Sequence, residues 1–234
     1  MIEVKKLTKD YNGKMAVDIP ELKISKGESF GLVGNNGAGK TTFFRLILDL
    51  IRPSSGCILS KHEEVMGSGH WKYYTGSFLD EGFLIDFLKP IEYFEFVGSL
   101  QGLQDGDVKE LLEKYKDFLS EDILGGKKYI RDLSQGNKKK VGILASFMAN
   151  PEVLVLDEPF ANLDPTSTSR LIKVLNEMKK DKGTTMLISS HDLNHVTEVC
   201  KRIVILEESK IVHDLKTSTD TLKELENYFA VKEE

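Results

Sequence analysis

Ser29–Phe30–Gly31–Leu32–Val33 runs without a break into Gly34–Asn35–Asn36–Gly37–Ala38–Gly39–Lys40–Thr41–Thr42. The first five residues read as a short, buried strand, and the next eight fit GxxxxGK[ST] in full. Phe43, Phe44, Leu46, Ile47 and Leu50 then recur at helical spacing, and the helix stops before Pro53. Strand, glycine turn and helix in that order make a cradle for phosphate. Glycines let the backbone close around the anion, and the N–H groups from Asn36 to Thr42 add to the positive end of the helix dipole. Lys40 supplies a full charge to the outer phosphates, and Thr41 offers a hydroxyl to Mg²⁺.

A second apolar strand, Val153–Leu154–Val155–Leu156, ends in Asp157–Glu158–Pro159. Carboxylates at the carboxyl edge of a parallel sheet face the ligand crevice. Asp157 is expected to hold Mg²⁺ opposite Thr41, and Glu158 to orient the water that attacks a terminal phosphate. A glutamate in that place points to hydrolysis, not to a passive nucleotide switch.

The rest of the composition is that of an ordinary globular chain. Its 234 residues are 40% hydrophobic and 29% charged, with 32 Lys+Arg against 37 Asp+Glu and a net charge of −5. That balance gives no overall pull toward nucleic acid, and none is expected as a partner. Cys57 and Cys200 form no CxxC pair, which argues against a disulfide framework or zinc site and for a reducing cytoplasm. No stretch approaches the ~20 apolar residues of a membrane span. The Phe43–Ile51 and Val141–Ala149 runs are too short, and the N-terminus lacks the apolar core of a secretion signal.

Further strands are expected at Ile2–Leu7, Lys14–Ile24, Thr185–Ser189, Arg202–Leu206 and Lys210–His213, with a turn at Gly27–Glu28. Thr166–Lys180 reads as helical. From Ile85 to Leu133 the pattern is helical instead, with amphipathic stretches at Ile91–Leu100 and Val108–Leu119 separated by Gly102 and Gly106. Leu222, Leu225 and Phe229 suggest a closing helix. The alternation predicts an α/β fold: a P-loop NTPase (RecA-like) core with a mostly parallel sheet, an N-terminal antiparallel β part and an inserted α-helical subdomain. The expected division is one domain over 1–234, its core formed by 1–84 and 134–234 and the helical subdomain by 85–133.

Between the two phosphate motifs lies Leu133–Ser134–Gln135–Gly136–Asn137, then three lysines and a long apolar helix. With the cradle and the Asp157–Glu158 pair, this resembles the LSGGQ signature of ATP-binding cassette ATPases, and the resemblance covers essentially the whole chain. It implies a Mg²⁺-dependent ATPase that works as the nucleotide-binding subunit of a membrane transporter, peripheral on the cytoplasmic face of the cell membrane. It also implies two partners, namely separate membrane-spanning subunits and a second ATP-binding subunit, identical or not. Ser134, Gln135 and Gly136 would then reach the nucleotide of the facing subunit, so that ATP joins two cassettes head to tail. Tyr11 occupies the place of an aromatic that stacks on adenine. Asn162–Leu163–Asp164 resembles the loop that communicates between subunits, and His191 matches a switch histidine at the terminal phosphate.

The chain departs from the family pattern where a loop glutamine is usual. Thr75–Gly76–Ser77–Phe78–Leu79–Asp80–Glu81 occupies that stretch, with Asp80 at the glutamine position and Glu81 one residue away. A carboxylate there could bind Mg²⁺ but would donate no hydrogen bond. Gln135, Asn137, Phe160 and Ala161 also depart from the commonest residues. Glu92–Tyr93–Phe94 and the lack of a long regulatory tail beyond about residue 215 resemble the export-type branch. The competing function is a soluble cassette ATPase acting on ribosomes or DNA; a nucleotide-binding module without turnover is the third, and Glu158 argues against it. The lysines after Asn137 also read as a solvated face.

Overall fold

The computed structural model describes residues 1–148, 150–218 and 221–230. Ala149, at the end of one apolar run, lies outside them, as do residues 231–234 and the side chain of Phe229. The chain opens with β1 (Ile2–Tyr11) and β2 (Lys14–Ile24), an antiparallel hairpin. It continues through β3 (Ser29–Val33), α1 (Lys40–Ile47), β4 (Ser55–Ser60), β5 (Glu63–Glu64) and β6 (Thr75–Phe78). Then come α2 (Pro90–Leu100), α3 (Asp105–Lys114), α4 (Glu121–Leu124), α5 (Gln135–Phe147) and β7 (Val153–Leu156). The last third adds α6 (Pro165–Lys182), β8 (Thr185–Ser190), α7 (Leu193–Val199), β9 (Arg202–Glu207), β10 (Lys210–Lys216) and α8 (Thr221–Ala230).

Two sheets result. One is antiparallel, in the order β2-β1-β4-β5; the other runs β10-β9-β3-β8-β7-β6. Strands β9, β3, β8, β7 and β6 are parallel, and β10 pairs antiparallel to β9 at the edge. Alternation within the short strands explains why both faces are covered. On one face Phe30, Leu32, Val153, Val155 and Leu187 pack with Phe43 and Phe44 of α1 and with Ile2, Val4 and Ile19 of the antiparallel sheet. On the other, Val33, Leu154, Leu156 and Ile188 pack with α5, α6 and α7. The helical middle joins this second cluster through Phe94, Leu112, Phe118 and Ile123, and no described residue between 85 and 133 lies in a strand.

Several expectations need correction. The stretch 75–78, read as part of a loop, is strand β6, hydrogen-bonded to β7; its Gly and Ser weaken the strand signal. Strand β4 and helix α7 also carry too little periodicity to read. Gly106 lies inside α3, not between helices, because Gln104 and Asp107 cap that helix. Helix α1 ends at Ile47, earlier than its apolar pattern suggests, and leaves Leu50 48% exposed.

Arg202 ties the two sheets together. Its guanidinium donates to Asp214 (2.7 and 2.6 Å), Glu28 (2.9 Å) and the Lys23 carbonyl (2.7 Å). Hydrogen bonding to Asp214, followed by Glu28, raises its pKa further. Replacing it by methionine, Arg202→Met, should lower the unfolding free energy by about 1–3 kcal/mol. Urea denaturation measures this directly, and an unshifted midpoint would show that the bridge contributes nothing.

Candidate active site

Three strand ends meet at one edge of the parallel sheet. Val33 of β3 is level with Ser190 of β8, and Leu156 of β7 with Ile188 of β8. The segments that follow, 34–41, 157–158 and 191, therefore emerge side by side.

The glycine turn leads into α1, and its geometry is set by close packing. Gly39 takes φ +111°, and a Cβ there would lie 2.1 Å from the Ala16 carbonyl oxygen. Only glycine fits. The same contact seats the β1–β2 hairpin against the turn, and Tyr11 stands at the hairpin's tip, paired with Lys14 and 46% exposed. The Lys9 ammonium lies 4.8 Å from its ring centre. Lys40 is buried, and its Nζ donates to the Gly34 carbonyl at 2.6 Å.

Across from it, the Thr41 hydroxyl donates to Asp157 Oδ2 at 2.6 Å. Ser189 donates through Oγ to Asp157 Oδ1 and accepts from the Glu158 N–H at 2.9 Å. Glu158 adopts φ +47°, in the left-handed region. Its carboxylate lies 3.5 Å from Lys40 Nζ through Oε1, while Oε2 is 2.8 Å from His191 Nδ1 and accepts from the His191 N–H at 3.2 Å. Lys40, Thr41, Asp157, Glu158 and His191 thus form one connected group. Ser189, which joins Asp157 to Glu158, carries no mark in the sequence beyond its place at the end of an apolar strand.

The signature segment lies apart from that group. Ser134 is the N-cap of α5, and its Oγ accepts from the Asn137 N–H at 3.3 Å. Ser134 and Gln135 are exposed. A Cβ on Gly136 would sit 2.9 Å from the Asn162 carbonyl oxygen, so the signature turn packs against the 162–164 loop. Asp164 caps α6 by accepting from the Ser167 N–H at 2.9 Å, and the Ser167 hydrogen bonds, side-chain first, hold its carboxyl below the usual range.

Asp80 does not join Thr41 and Asp157 in a hydrogen bond. It accepts from the Gly82 N–H at 2.8 Å and lies 3.9 Å from Arg45. Glu81 turns the other way, to Lys139 at 3.8 Å. Lys139 and Lys140, read as part of a solvated face, are buried. Burial lowers both of their pKa values.

The donor set suits Mg²⁺. Thr41 and Asp157 offer hard oxygens, and among the described residues no cluster of three or more His, Cys, Asp or Glu forms a closed cage. A hydroxyl and one carboxylate beside a phosphate cradle match an ion that keeps waters and takes the rest of its ligands from substrate.

Comparisons with known proteins show the family. The family model described as ABC transporter matches residues 17–161. The uncharacterised ABC transporter ATP-binding protein MJ1023 of Methanocaldococcus jannaschii is 33% identical over 215 residues, covering 91% of this chain and 76% of that protein. The uncharacterised ABC transporter ATP-binding protein YhaQ of Bacillus subtilis is 34% identical over 233 residues, 99% of this chain and 75% of its own. Among solved structures, cbiO1 of Clostridium perfringens, part of the ABC transporter complex cbiONQ, superposes with a TM-score of 0.77 at 27% identity. That likeness covers 98% of this chain and 93% of cbiO1. The family model spans well over half of the chain, which therefore belongs to the ABC transporter family as one of its ATP-binding proteins.

Proposed function

We propose that this chain is the cytoplasmic motor of a membrane transporter, binding and hydrolysing ATP while separate membrane-spanning subunits carry the cargo. The observation that supports this reading most is the contact of Glu158 with both Lys40 and His191 beside the Thr41–Asp157 pair. ATP would lay its phosphates in the turn Gly34–Thr42, against N–H groups drawn from Asn36 to Thr42 at the start of α1. Lys40 would exchange the Gly34 carbonyl for phosphate oxygens. Adenine would stack on the exposed face of Tyr11. Thr41 and Asp157 are the residues that would hold Mg²⁺, whose chemistry there is neutralisation of charge on the outer phosphates. Glu158 would orient and deprotonate the attacking water, with His191 holding the carboxylate and sensing the terminal phosphate.

Hydrolysis would require a second cassette. The exposed N-terminus of α5 supports this: Ser134 Oγ accepts one long hydrogen bond, so its O–H stays available as a donor. Ser134, Gln135 and Gly136 would address the partner's nucleotide, with Asp164 at the same junction. The helical stretch 85–133 would be the subdomain inserted in the core 1–84 plus 134–234. A groove of about 280 Å³ at its base, lined by Leu50, Phe83, Leu84, Tyr93, Val97 and Gln101, would seat a helix of the membrane subunit. Two of its lining residues, Phe83 (56%) and Leu50 (48%), are exposed, which supports that use of the groove. The direction of transport is inferred as export, on the Glu92–Tyr93–Phe94 run.

Three measurements test the reading. Glu158→Gln should still bind ATP, accumulate as an ATP-bound dimer on gel filtration, and lose about 10²–10⁴-fold in phosphate release; turnover at the wild-type rate would remove Glu158 from the role of base. Asp80→Gln frees Arg45 and should shift the Mg²⁺ titration of turnover if Asp80 reaches the cation. An unchanged titration takes Asp80 out of the site. Leu50→Glu should abolish co-purification with apolar subunits from detergent-solubilised membranes while basal hydrolysis persists, whereas unchanged capture would sink the groove assignment.

A further inference from the structure

Lys139 lies one turn into α5, buried, with its Nζ donating to the Glu158 carbonyl at 2.9 Å and 3.8 Å from Glu81 Oε1. Glu158 is a residue with a Cβ held at φ +47°, a conformation that persists only where surroundings enforce it. Its N–H is fixed by Ser189 Oγ at 2.9 Å, and its carbonyl accepts from Lys139 and from the Ala161 N–H at 3.3 Å. Both peptide units flanking its Cα are therefore pinned, which sets the direction in which Cβ leaves the backbone, while Lys40 and His191 hold the carboxylate at the other end. The only charge-assisted bond in that set is the one from Lys139.

An ammonium is an expensive group to bury, and burial lowers the Lys139 pKa against the opposing pull of Glu81, Glu158 and Asp157. An apolar chain of the same length would fill the space. The charge is explained instead by the carbonyl that it holds. Its nearest counter-charge, Glu81, sits in the 3₁₀ turn Glu81–Phe83, and Phe83 lines the groove described above. Asp80 faces Arg45 of α1 instead, so the adjacent acids divide between two cations.

We infer that Lys139 is a positioning residue for hydrolysis: its ammonium fixes the Glu158 carbonyl and hence the aim of the carboxylate, and Glu81 at the groove sets how firmly it does so. The inference rests on the reading of Glu158 as the residue that orients water. A segment docked in the groove and pressing on the Glu81–Phe83 turn would reach Glu158 through this one side chain.

The test uses the full chain, with steady-state ATP hydrolysis and nucleotide-binding stoichiometry measured side by side. Lys139→Met should lower kcat about 10- to 100-fold, as expected for a misaimed group. KM for ATP and binding stoichiometry should stay within about twofold, because the phosphate cradle is untouched. Lys139→Arg should restore much of the rate. Glu81→Gln should change kcat by itself yet add nothing in the Lys139→Met background. Wild-type kcat in Lys139→Met overturns the proposal. So does a rate loss that tracks lost nucleotide binding and is not rescued by arginine, since that is a folding defect. If the methionine variant does not fold, Lys139→Gln decides: lowered kcat at constant KM supports the role, and unchanged kcat refutes it. Glu158→Gln separates the two layers. If it is inactive while Lys139→Met turns over normally, only the present inference fails; if it turns over normally, the assignment of Glu158 fails and this inference with it.

Discussion

The parallel register of β3, β8 and β7 is the constraint on which the site depends. Because the three strands run the same way, their carboxyl ends lie at one edge, and the turns that follow have no choice but to meet. An antiparallel arrangement would send alternate loops to opposite edges and separate Lys40 from Glu158. The register is locked by burial on both faces: a slip of one residue would turn Leu154 and Leu156 from the helical side toward α1. Strand pairing and phosphate chemistry are thus set by the same apolar alternation.

Within that frame the charges are arranged so that each acid has a defined neighbour. Asp157 accepts from Thr41 and Ser189, Glu158 meets Lys40 and His191, Asp80 faces Arg45 and Glu81 faces Lys139. Such a network gives each of these four carboxylates its own donor or cation. Glu158 is the most constrained member, held by contacts to its N–H, its carbonyl and its side chain. A strained backbone tied on every side is the arrangement expected where aim matters more than stability.

Much of this was legible in the residues. Gly34–Thr41 carries its own geometry, because spacing of glycines and a lysine after an apolar strand admits few other backbones. Val153–Glu158 was legible for the same reason: a fully apolar strand followed at once by two carboxylates. Elements with weak local signals were not. Strand β6 contains Gly76 and Ser77, and it is a strand because β7 pairs with it. Helix α7 has its reason in Gly31, where a Cβ would lie 2.5 Å from Val196.

The sequence by itself determined the α/β class, the cradle, the acidic strand end, the helical middle and the family, since each rests on short-range periodicity or on a motif whose spacing is its mechanism. Only the tertiary structure decided which charges meet. Lys139 read as a surface lysine because nothing nearby in the chain marks it otherwise; its partners Glu81 and Glu158 lie 58 and 19 residues away and reach it only once α5 packs on the sheet. Desolvation and hydrogen bonding across such distances depend on packing, which local sequence does not encode.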